Sequence, residues 1–560
     1  MTDTTLDVPS GRSLSARRSR ISLLSVAAVV VAVLSVVPLG SVLTNLVAAG
    51  TGDTWAHLAS TVLPEYFANT FWWCGGGGWG GGGGGVGAAW LTAMHDFPGR
   101  TVFEWALVLP LAMPAYVMAY TYTDLLQFVG PVQTWLREQF NWQAGEYWFP
   151  DIRTLGGAVS MFVFVLYPYV YMLARTAFLE RASGVLEAGR SLGLGPWANF
   201  FRVSLPLARP AVAAGTALAL METLADYGTV SYFAVQTFTT GIYRAWFNLG
   251  DRAAAGQLAA CLLGLVALLL VAEKASRGRA RFHNTSQRSR AFQGRRLGPV
   301  GAVLAMAGCA IPLVLGFLLP AGLLLKMTLT EGDAQFGERF LQLARNSFTL
   351  AALTAILAVV LAVLLAYSAR LTRGAWGAAL NRVVGLGYAV PGSVIAVGVL
   401  IPVTRLDNWL AGWITQISGY NPGLLLTGGI AALIYAYLVR FLAVALQTVE
   451  ASLGKITTNM DDAARSLGLG RGETLRRVHV PLLRGSLSTA GLLVFVDVMK
   501  ELPATLVMRP FNFDTLATQT YTLASDERLA EASTAAIIIV AVGIIPVFAI
   551  SRQLRERSRR

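Results

Sequence analysis

Four carboxylates stand in apolar stretches of the chain, where an ionisable side chain could bind a cation. Glu222 and Asp226 lie near the end of one stretch, and Asp497 and Glu501 hold the same positions in a matching stretch of the second half. Ionisable residues inside a membrane span are costly and are functional candidates by default. A spacing of four would put both members of each pair on one helical face. The pattern predicts a substrate pathway lined by carboxylates and suited to a cation.

The same carboxylates have a structural interpretation that the residues alone do not exclude. Polar side chains inside a membrane also join helices through hydrogen bonds and salt bridges. In the second copy Lys500 is placed to compensate Asp497, whereas the first pair has no such neighbour on its own helix. No stable metal site is predicted, because the four histidines are scattered and none has metal-ligand spacing with another ligand.

Two polar, arginine-bearing islands repeat in the same register as the carboxylates. Residues 187–195 read EAGRSLGLG, and residues 462–470 read DAARSLGLG. In each island a helix should end at the glycines, since Gly is a common C-terminal cap. A short helix should follow and end before Pro206 or Pro481. Each island therefore predicts a helix–turn–helix on the cytoplasmic surface, with exposed apolar residues such as Phe200 and Leu475 that need a partner surface. A helix pair that rests on lipid headgroups is the alternative.

The remainder of the chain is suited to hold these features in a membrane. Of its 560 residues 55% are hydrophobic and 13% are charged, against about 25% charged in soluble domains. Apolar runs of more than ~18 residues predict helical spans, so the expected fold class is an all-α polytopic membrane protein. About twelve transmembrane helices are expected, at 21–46, 68–92, 102–126, 155–175, 210–234, 256–273, 300–326, 347–369, 381–404, 424–446, 484–507 and 533–551.

The spans divide into two repeats of six, residues 21–273 and 300–551. Because six is even, both repeats have the same orientation and form a parallel pair. Loops 176–209 and 447–483 carry the two islands. Lys and Arg concentrate in the basic tail 1–20, the linker 274–299 and the tail 552–560, which predicts that both termini are cytoplasmic in a multi-pass protein of the inner (plasma) membrane. The net charge of +13 is explained in this way without a nucleic-acid partner.

One predicted span has an unusual composition. Residues 75–85 are all glycine except Trp79, whereas their counterparts 352–362 form an ordinary Ala/Leu/Val helix. Ten glycines would oppose helix formation by roughly 10 kcal/mol relative to alanine. Lipid could still enforce a helix, and glycine allows helices to approach closely. A sequence error or local degeneration is favoured here over a functional role.

The islands resemble the EAA loop of binding-protein-dependent ABC importer permeases, and the two six-span repeats resemble the fused form with its type I importer architecture. The resemblance implies that these islands are coupling loops, whose short second helix docks on an ATPase. The implied ATPase-coupling residues are Glu187, Ala188, Gly193, Pro206, Asp462, Ala463, Gly468 and Pro481. The second copy departs by having Asp462 in place of the usual Glu, which keeps the charge.

This resemblance also implies the partners. A separate ATP-binding cassette ATPase is expected, because the chain has no P-loop sequence that could cradle phosphates. Two copies of this ATPase are expected from the resemblance. The chain is therefore expected to be a transport subunit and not an enzyme. The resemblance implies that it binds no cofactor of its own and that ATP is used by the partner. A periplasmic or lipid-anchored binding protein would deliver the substrate, and membrane lipid surrounds the spans.

Residues around the intramembrane carboxylates are similar to the fused permeases of ferric-iron importers. The similar stretches are 224–230, 236–244, 499–505 and 509–517. The resemblance implies Fe(III) as cargo, although carboxylates suit many hard cations. Thiamine and polyamine permeases share the architecture and remain alternatives. A secondary transporter driven by an ion gradient and a membrane-embedded assembly subunit are the alternatives from other classes.

Overall fold

A computed structural model describes residues 23–46, 52–191, 193–277, 295–330, 337–372 and 375–559. The predicted basic tail 1–20 and most of the linker 274–299 lie outside these residues. The described chain is almost entirely helical, and its one small sheet pairs β1 (His95–Asp96) in parallel with β2 (Arg295–Arg296). The all-α prediction is confirmed.

In the first repeat the described residues form twelve α-helices of very different lengths. The long ones are apolar and cross the molecule, and the short ones lie at bends between them. They are α1 (Leu23–Thr44), α2 (Gly52–Thr61), α3 (Leu63–Met94), α4 (Arg100–Ala106), α5 (Ala115–Leu126), α6 (Pro131–Phe140), α7 (Leu155–Ser191), α8 (Pro196–Asn199), α9 (Leu205–Ala225), α10 (Gly228–Tyr232), α11 (Phe238–Tyr243) and α12 (Arg252–Arg277).

In the second repeat the described residues again form twelve α-helices. They are α13 (Pro299–Leu313), α14 (Leu319–Thr330), α15 (Glu338–Thr372), α16 (Ala375–Gly385), α17 (Gly392–Ser418), α18 (Ala431–Leu453), α19 (Thr458–Ser466), α20 (Arg471–Thr474), α21 (Val480–Met499), α22 (Pro503–Met508), α23 (Leu516–Ser525) and α24 (Leu529–Arg559). The succession of helices is the same as in the first repeat from α20 onward, but before it one long helix (α17) stands in place of α5 and α6, and two helices (α18 and α19) stand in place of α7. Four π segments (Phe200–Ser204, Arg244–Asn248, Val314–Leu318, Leu475–His479) and two 3₁₀ turns (Leu109–Ala112, Leu386–Ala389) join neighbouring helices.

Ten helices among the described residues are long and apolar enough to cross a membrane, and a bent pair brings the number to eleven. The helix at the predicted span 68–92 is α3, which has 32 residues. It is long enough to cross, but its glycines contribute no apolar side chains, so composition alone does not select it. The architecture agrees with two parallel repeats of apolar helices.

Two predicted spans are broken by proline in the same way. The span at 102–126 consists of two helical pieces that meet at an angle of 91° near Pro114. The span predicted at 381–404 begins at Gly392, directly after Pro391, and runs to Ser418. In both repeats a 3₁₀ turn precedes the proline, and the residue before the proline is extended because the ring disfavours a helical conformation there.

The glycine-rich stretch lies within one continuous helix, α3, against α7. A Cβ added at Gly76 or Gly80 would lie 2.7 or 2.5 Å from the side chain of Val159 or Val163 on α7. A Cβ at Gly85 would lie 2.7 Å from the carbonyl oxygen of Tyr167. These glycines therefore permit a close approach of the two helices, one of the interpretations that the sequence leaves open. Gly75, Gly83 and Gly84 face open space, so close packing accounts for only one side of the stretch.

Each repeat sends its first span to the opposite repeat. The helix α1 packs against α16 and α17, and the Tyr435 hydroxyl on α18 donates a hydrogen bond to the carbonyl oxygen of Leu34 at 2.6 Å. In the reverse direction α14 packs against α5, and the Tyr122 hydroxyl donates to the carbonyl oxygen of Leu315 at 2.6 Å. The repeats are therefore interlocked rather than merely adjacent.

Candidate functional site

The four predicted pathway carboxylates line one cavity of about 120 Å³ between the repeats. Glu222 and Asp226 come from the first repeat, and Asp497 and Glu501 come from the second. Two basic side chains also line the cavity, so that its formal net charge is −2. The prediction thus selects residues that meet in space. The additional charged lining residues are Arg440 and Lys500.

The expected helical spacing of these carboxylates is wrong. The helix α9 ends at Ala225 and α21 ends at Met499, so Asp226 and Glu501 lie beyond the helices that carry their partners. The predicted spans 210–234 and 484–507 therefore end early. The cause is the next short helix, whose first N–H groups lack partners within that helix and capture the carboxylate.

The two captured carboxylates bind their short helices in equivalent ways. Asp226 accepts hydrogen bonds from the Thr229 amide (3.0 Å) and hydroxyl (3.2 Å) at the start of α10. Glu501 accepts hydrogen bonds from the Ala504 amide (2.9 Å), the Thr505 amide (3.1 Å) and the Thr505 hydroxyl (2.7 Å) at the start of α22. Each carboxylate is thereby held in place at the edge of the cavity.

Ion pairs neutralise part of the cavity. Lys500 contacts Asp497 at 3.0 Å, as its spacing of three residues predicts. Arg440 on α18 contacts Glu222 at 3.6 Å and Glu501 at 3.6 Å, one carboxylate from each repeat. The cavity therefore combines both roles that the sequence leaves open, since the same carboxylates line a cavity and join the repeats.

Arg440 is the functional candidate that the sequence reasoning missed. It lies inside the predicted span 424–446, where an ionisable residue is itself a signal of function. The rule that selects the carboxylates could have selected it. Its two partners, Glu222 and Glu501, belong to other spans that are distant along the chain, and no local spacing connects them to Arg440.

Tyrosines join the two repeats beside this cavity. The Tyr521 hydroxyl lies 3.0 Å from the Ser231 hydroxyl and donates to the Tyr227 hydroxyl at 3.4 Å. The rings of Tyr227 and Tyr243 are stacked with centroids 3.6 Å apart, and the Tyr243 hydroxyl donates to the carbonyl oxygen of Pro503. The short helices that follow Asp226 and Glu501 in the two repeats are thus connected to each other through these side chains.

The two predicted coupling loops have the same backbone at their glycine turn, although the helix before the turn is continuous in the first loop (α7) and interrupted between α18 and α19 in the second. Gly193 (φ 81°) and Gly468 (φ 82°) both adopt the left-handed conformation that glycine accommodates without strain. In the first loop the Leu194 amide donates to the carbonyl oxygen of Gly189 at 3.0 Å, and the Leu469 amide donates to that of Ala464 at the same distance in the second. The predicted turn at the glycines is present in both copies.

The expectation that a short helix ends before each proline is wrong. From Pro196 to Ala225, and from Arg471 to Met499, each chain segment is helical throughout. A π segment ends two residues before Pro206 and Pro481, and its wider turn accommodates a residue that has no N–H to donate. Each coupling helix is therefore the first part of a membrane-crossing helix.

The surfaces of the loops differ from the sequence expectation in one respect. Phe200 is buried, since its ring packs against Trp90 with centroids 4.7 Å apart, and Leu475 is half-buried. Among the side chains of the first loop that the structure describes, Trp197 and Phe201 are large, apolar and exposed, and their rings are stacked.

The predicted coupling residues lie on the molecular surface wherever they are described. Gly193, Pro206, Asp462, Ala463, Gly468 and Pro481 are exposed. Asp462 pairs with Arg465. The side chains of Glu187 and Ala188 lie outside the described part of the chain. Both repeated loops are therefore accessible from outside the protein at these described positions.

Two parallel repeats that share a charged cavity, with a repeated exposed loop on each, define a membrane permease. The chain belongs to the family described as "binding-protein-dependent transport system inner membrane component", whose sequence model matches residues 84–274 and 358–560. One match falls in each repeat, so the predicted membership and the fused arrangement are confirmed.

Several proteins that are named as transport permeases are similar to this chain. The Fe(3+)-transport system permease protein FbpB 2 of Haemophilus influenzae is 27% identical over 470 residues, which cover 83% of this chain and 85% of that protein. The molybdenum transport system permease protein ModB of Escherichia coli is 30% identical over 195 residues, 33% of this chain and 81% of that protein. The sulfate transport system permease protein CysT of Escherichia coli is 32% identical over 146 residues, 26% of this chain and 50% of that protein.

Proposed function

We propose that this chain is the transmembrane permease subunit of an importer for Fe(III), which an extracytoplasmic binding protein delivers and a separate ATPase moves. The observation that carries the proposal is the cavity between the repeats, where four carboxylates outnumber two cations. Carboxylate oxygens are the ligands that hard cations prefer. An oxyanion such as sulfate or molybdate would be repelled by the net negative charge.

The extent of the similarities supports the same cargo. The relative named for Fe(3+) transport matches over both repeats, whereas the relatives named for sulfate and molybdenum match over about a quarter to a third of this chain. Thiamine and polyamines are cationic as well, so charge alone does not separate them from iron.

The partners follow from the two coupling loops. Two loops with the same glycine turn fit two copies of one ATPase, and the family name itself refers to a binding protein. In this proposal both loops and both termini face the cytoplasm of the cell, ATP is used by the partner, and no cofactor is bound by this chain. Glu187 and Asp462, with the glycines that follow them, transmit closure of the ATPase to α9 and α21.

A reconstitution experiment tests the proposal. The chain is expressed with its copurifying ATPase and binding protein in proteoliposomes, and uptake of ⁵⁵Fe(III), ³⁵S-sulfate, ⁹⁹Mo-molybdate, ¹⁴C-thiamine and ¹⁴C-putrescine is measured with and without ATP. ATP-dependent uptake of iron alone is expected. Uptake of another cargo would overturn the iron assignment, and uptake without an ATPase would overturn the importer mechanism in favour of a gradient-driven transporter.

Neutralising one carboxylate in the cavity tests the role of its charge, and neutralising an exposed carboxylate elsewhere is the matched control. Asp497→Asn leaves Lys500 without its partner at 3.0 Å and reduces the negative charge of the cavity. Asp526→Asn changes an exposed carboxylate in the turn after α23. Iron uptake should fall about tenfold in the first variant, in keeping with the loss of one favourable charge, and should be unchanged in the second.

A further inference from the structure

Arg440 lies between charged side chains of the two repeats. Its side chain is nine-tenths buried, and it lies in ion-pair range of Glu222 from one repeat and Glu501 from the other. No other described arginine contacts a carboxylate from each repeat. In the register that matches Glu222 to Asp497, the counterpart of Arg440 in the first repeat is Val165, which also lines the cavity. One cation therefore serves carboxylates of both halves.

The two carboxylates keep their positions through other contacts. Glu501 accepts three hydrogen bonds from the first turn of α22, and Glu222 accepts one from the Tyr388 hydroxyl at 3.1 Å. A carboxylate that is held by neutral donors remains oriented when its counter-ion moves away. The acidic site is thus built independently of the arginine.

Arg440 itself is held loosely for a buried arginine. Charge-assisted hydrogen bonds between guanidinium and carboxylate are typically about 2.7–2.9 Å long, whereas both of its contacts measure 3.6 Å. Its Nε atom is buried and has no hydrogen-bond partner among the described residues. The guanidinium is therefore attracted by charge but not fixed by directed bonds.

Glycine at position 392 leaves space for this pair. A Cβ there would lie 2.6 Å from Oε1 of Glu501 and 3.2 Å from Nη1 of Arg440. The backbone of α17 thus forms one wall against the arginine, whereas Arg440 and Glu222 both line the cavity and the Glu222 side chain remains 28% exposed. The open direction for the guanidinium is along the cavity.

We propose that Arg440 is a tethered cation that occupies the site of the cargo between Glu222 and Glu501 while the permease is at rest, and that an arriving cation displaces it. The inference deepens the proposed function, on which it rests for the identification of the cavity as the cargo pathway. The resident guanidinium closes the pathway to other cations, and its displacement releases the contact between the repeats. Arg440 is accordingly a specificity-determining residue of the pathway.

Binding of a trivalent probe ion to the purified full-length chain tests this inference without transport. Tb³⁺ prefers carboxylate oxygens, as other hard cations do, and its luminescence is sensitised by nearby tyrosine such as Tyr388. Arg440→Gln should bind Tb³⁺ about tenfold more tightly than the unmodified chain, because the competing cation is gone. The double variant Arg440→Gln/Glu222→Gln should lose this gain. Arg382→Gln, which changes an exposed arginine on α16, should have no effect.

An unchanged or weaker affinity in Arg440→Gln would overturn the inference, because an arginine that only stabilises the fold has no competitor role to lose. If that variant does not purify as a folded protein, Arg440→Lys replaces it. The compact ammonium cannot contact both carboxylates in the same way, so about threefold tighter binding is expected, and unchanged or weaker binding again overturns the inference. Failure of iron uptake in the unmodified importer would instead overturn the proposed function and leave this binding result intact.

Discussion

In the first coupling loop Phe200 packs beside Trp90 and Phe178, with ring centroids 4.7 and 6.5 Å away. In the second loop Asp461 and His479 take part in a polar cluster with Arg370, which donates to Asp461 at 2.9 Å and to the carbonyl oxygens of residues 453, 456 and 457. His479 lies 2.7 Å from Asp461. The same glycine turn is therefore joined to a loop that is fixed to the body of the protein by aromatic packing in one repeat and by ionic contacts in the other.

The residues at equivalent positions explain the divergence. When the repeats are aligned, Arg370, Asp461 and His479 correspond to Ala93, Leu186 and Ser204. The first repeat thus lacks every charged member of the polar cluster. A polar contact between neighbouring helices is retained at equivalent positions in both repeats. It is the ion pair of Arg175 with Glu104 at 3.1 Å in the first repeat and the hydrogen bond of Asn381 with Glu450 in the second. The two loops can therefore respond differently to the same change of conditions.

Removal of Arg370, at the centre of the polar cluster, should produce the largest difference in stability between the two loops. Arg370→Ala removes one donor from Asp461, which keeps His479, and the donor of three carbonyl groups. At about 1 kcal/mol for each lost hydrogen bond, the second loop should be destabilised by about 4 kcal/mol. Hydrogen exchange of amides in α19 and α20 measures the loss, with the exposed Arg382→Gln as control. The first loop should keep its protection. Equal loosening of both loops would show that they are not held separately.

Removal of the central aromatic ring should produce the reverse pattern with a somewhat smaller effect. Phe200→Ala opens a cavity beside Trp90 and should cost about 3 kcal/mol. Exchange should rise in the first loop and remain unchanged in the second. Phe201→Ala, at a neighbouring exposed ring, is the control and should leave protection intact. A similar result for both phenylalanines would contradict the packing argument.

The turn glycines should give equal effects in the two loops, because their backbone is the same. Gly193→Val and Gly468→Val each force a branched residue into the left-handed region, at about 2 kcal/mol. Membrane insertion should be normal, but iron uptake per ATP hydrolysed should fall in both. Gly195→Ala and Gly470→Ala are controls, since neither glycine has a positive φ or a close neighbour. Normal coupling in the valine variants would remove the loops from the mechanism.

The glycine-rich helix α3 and its counterpart α15 can be compared in the same way. A Cβ at Gly84 would face open space, so Gly84→Ala should stabilise α3 by about 1 kcal/mol. Gly85→Ala would press on the Tyr167 carbonyl and should destabilise by a similar amount, whereas its counterpart in the second repeat is already Ala362, fully buried. The thermal midpoint in detergent measures both. Shifts of the same sign would mean that α3 does not approach α7 closely.

Acid should loosen only the second loop. Burial alone would raise the pKa of Asp461, but hydrogen bonds from Arg370 and His479 outweigh burial and lower the pKa below the ordinary Asp value. Because the folded pKa is the lower one, the stabilisation is complete above about pH 4 and is lost as the pH falls through the folded value. Hydrogen exchange below about pH 4 should increase in α19 and not in the first loop. Asp461→Asn should abolish the pH dependence.

Repeats, apolar helices and the carboxylates of the cavity could be recognised from the sequence because each depends on local composition or on direct comparison of the halves. The ends of α9 and α21 could not, since Asp226 and Glu501 leave the helix to bind the next one. Arg370 stands at the end of a predicted span and resembles an ordinary topology signal. Its partner Asp461 is distant along the chain, and only the folded protein brings them together.

The exchange of first spans between the repeats has a consequence for biosynthesis. The helix α1 is complete at Thr44, but the ribosome begins α17, against which α1 finally packs, only at Gly392. At ordinary elongation rates this delay lasts about 20–70 s. During most of that interval α1 has α12 of its own repeat to pack against but none of its partners from the second repeat, so that the rest of its surface faces lipid. Its 22 residues include no charged side chain, which suits them to that environment.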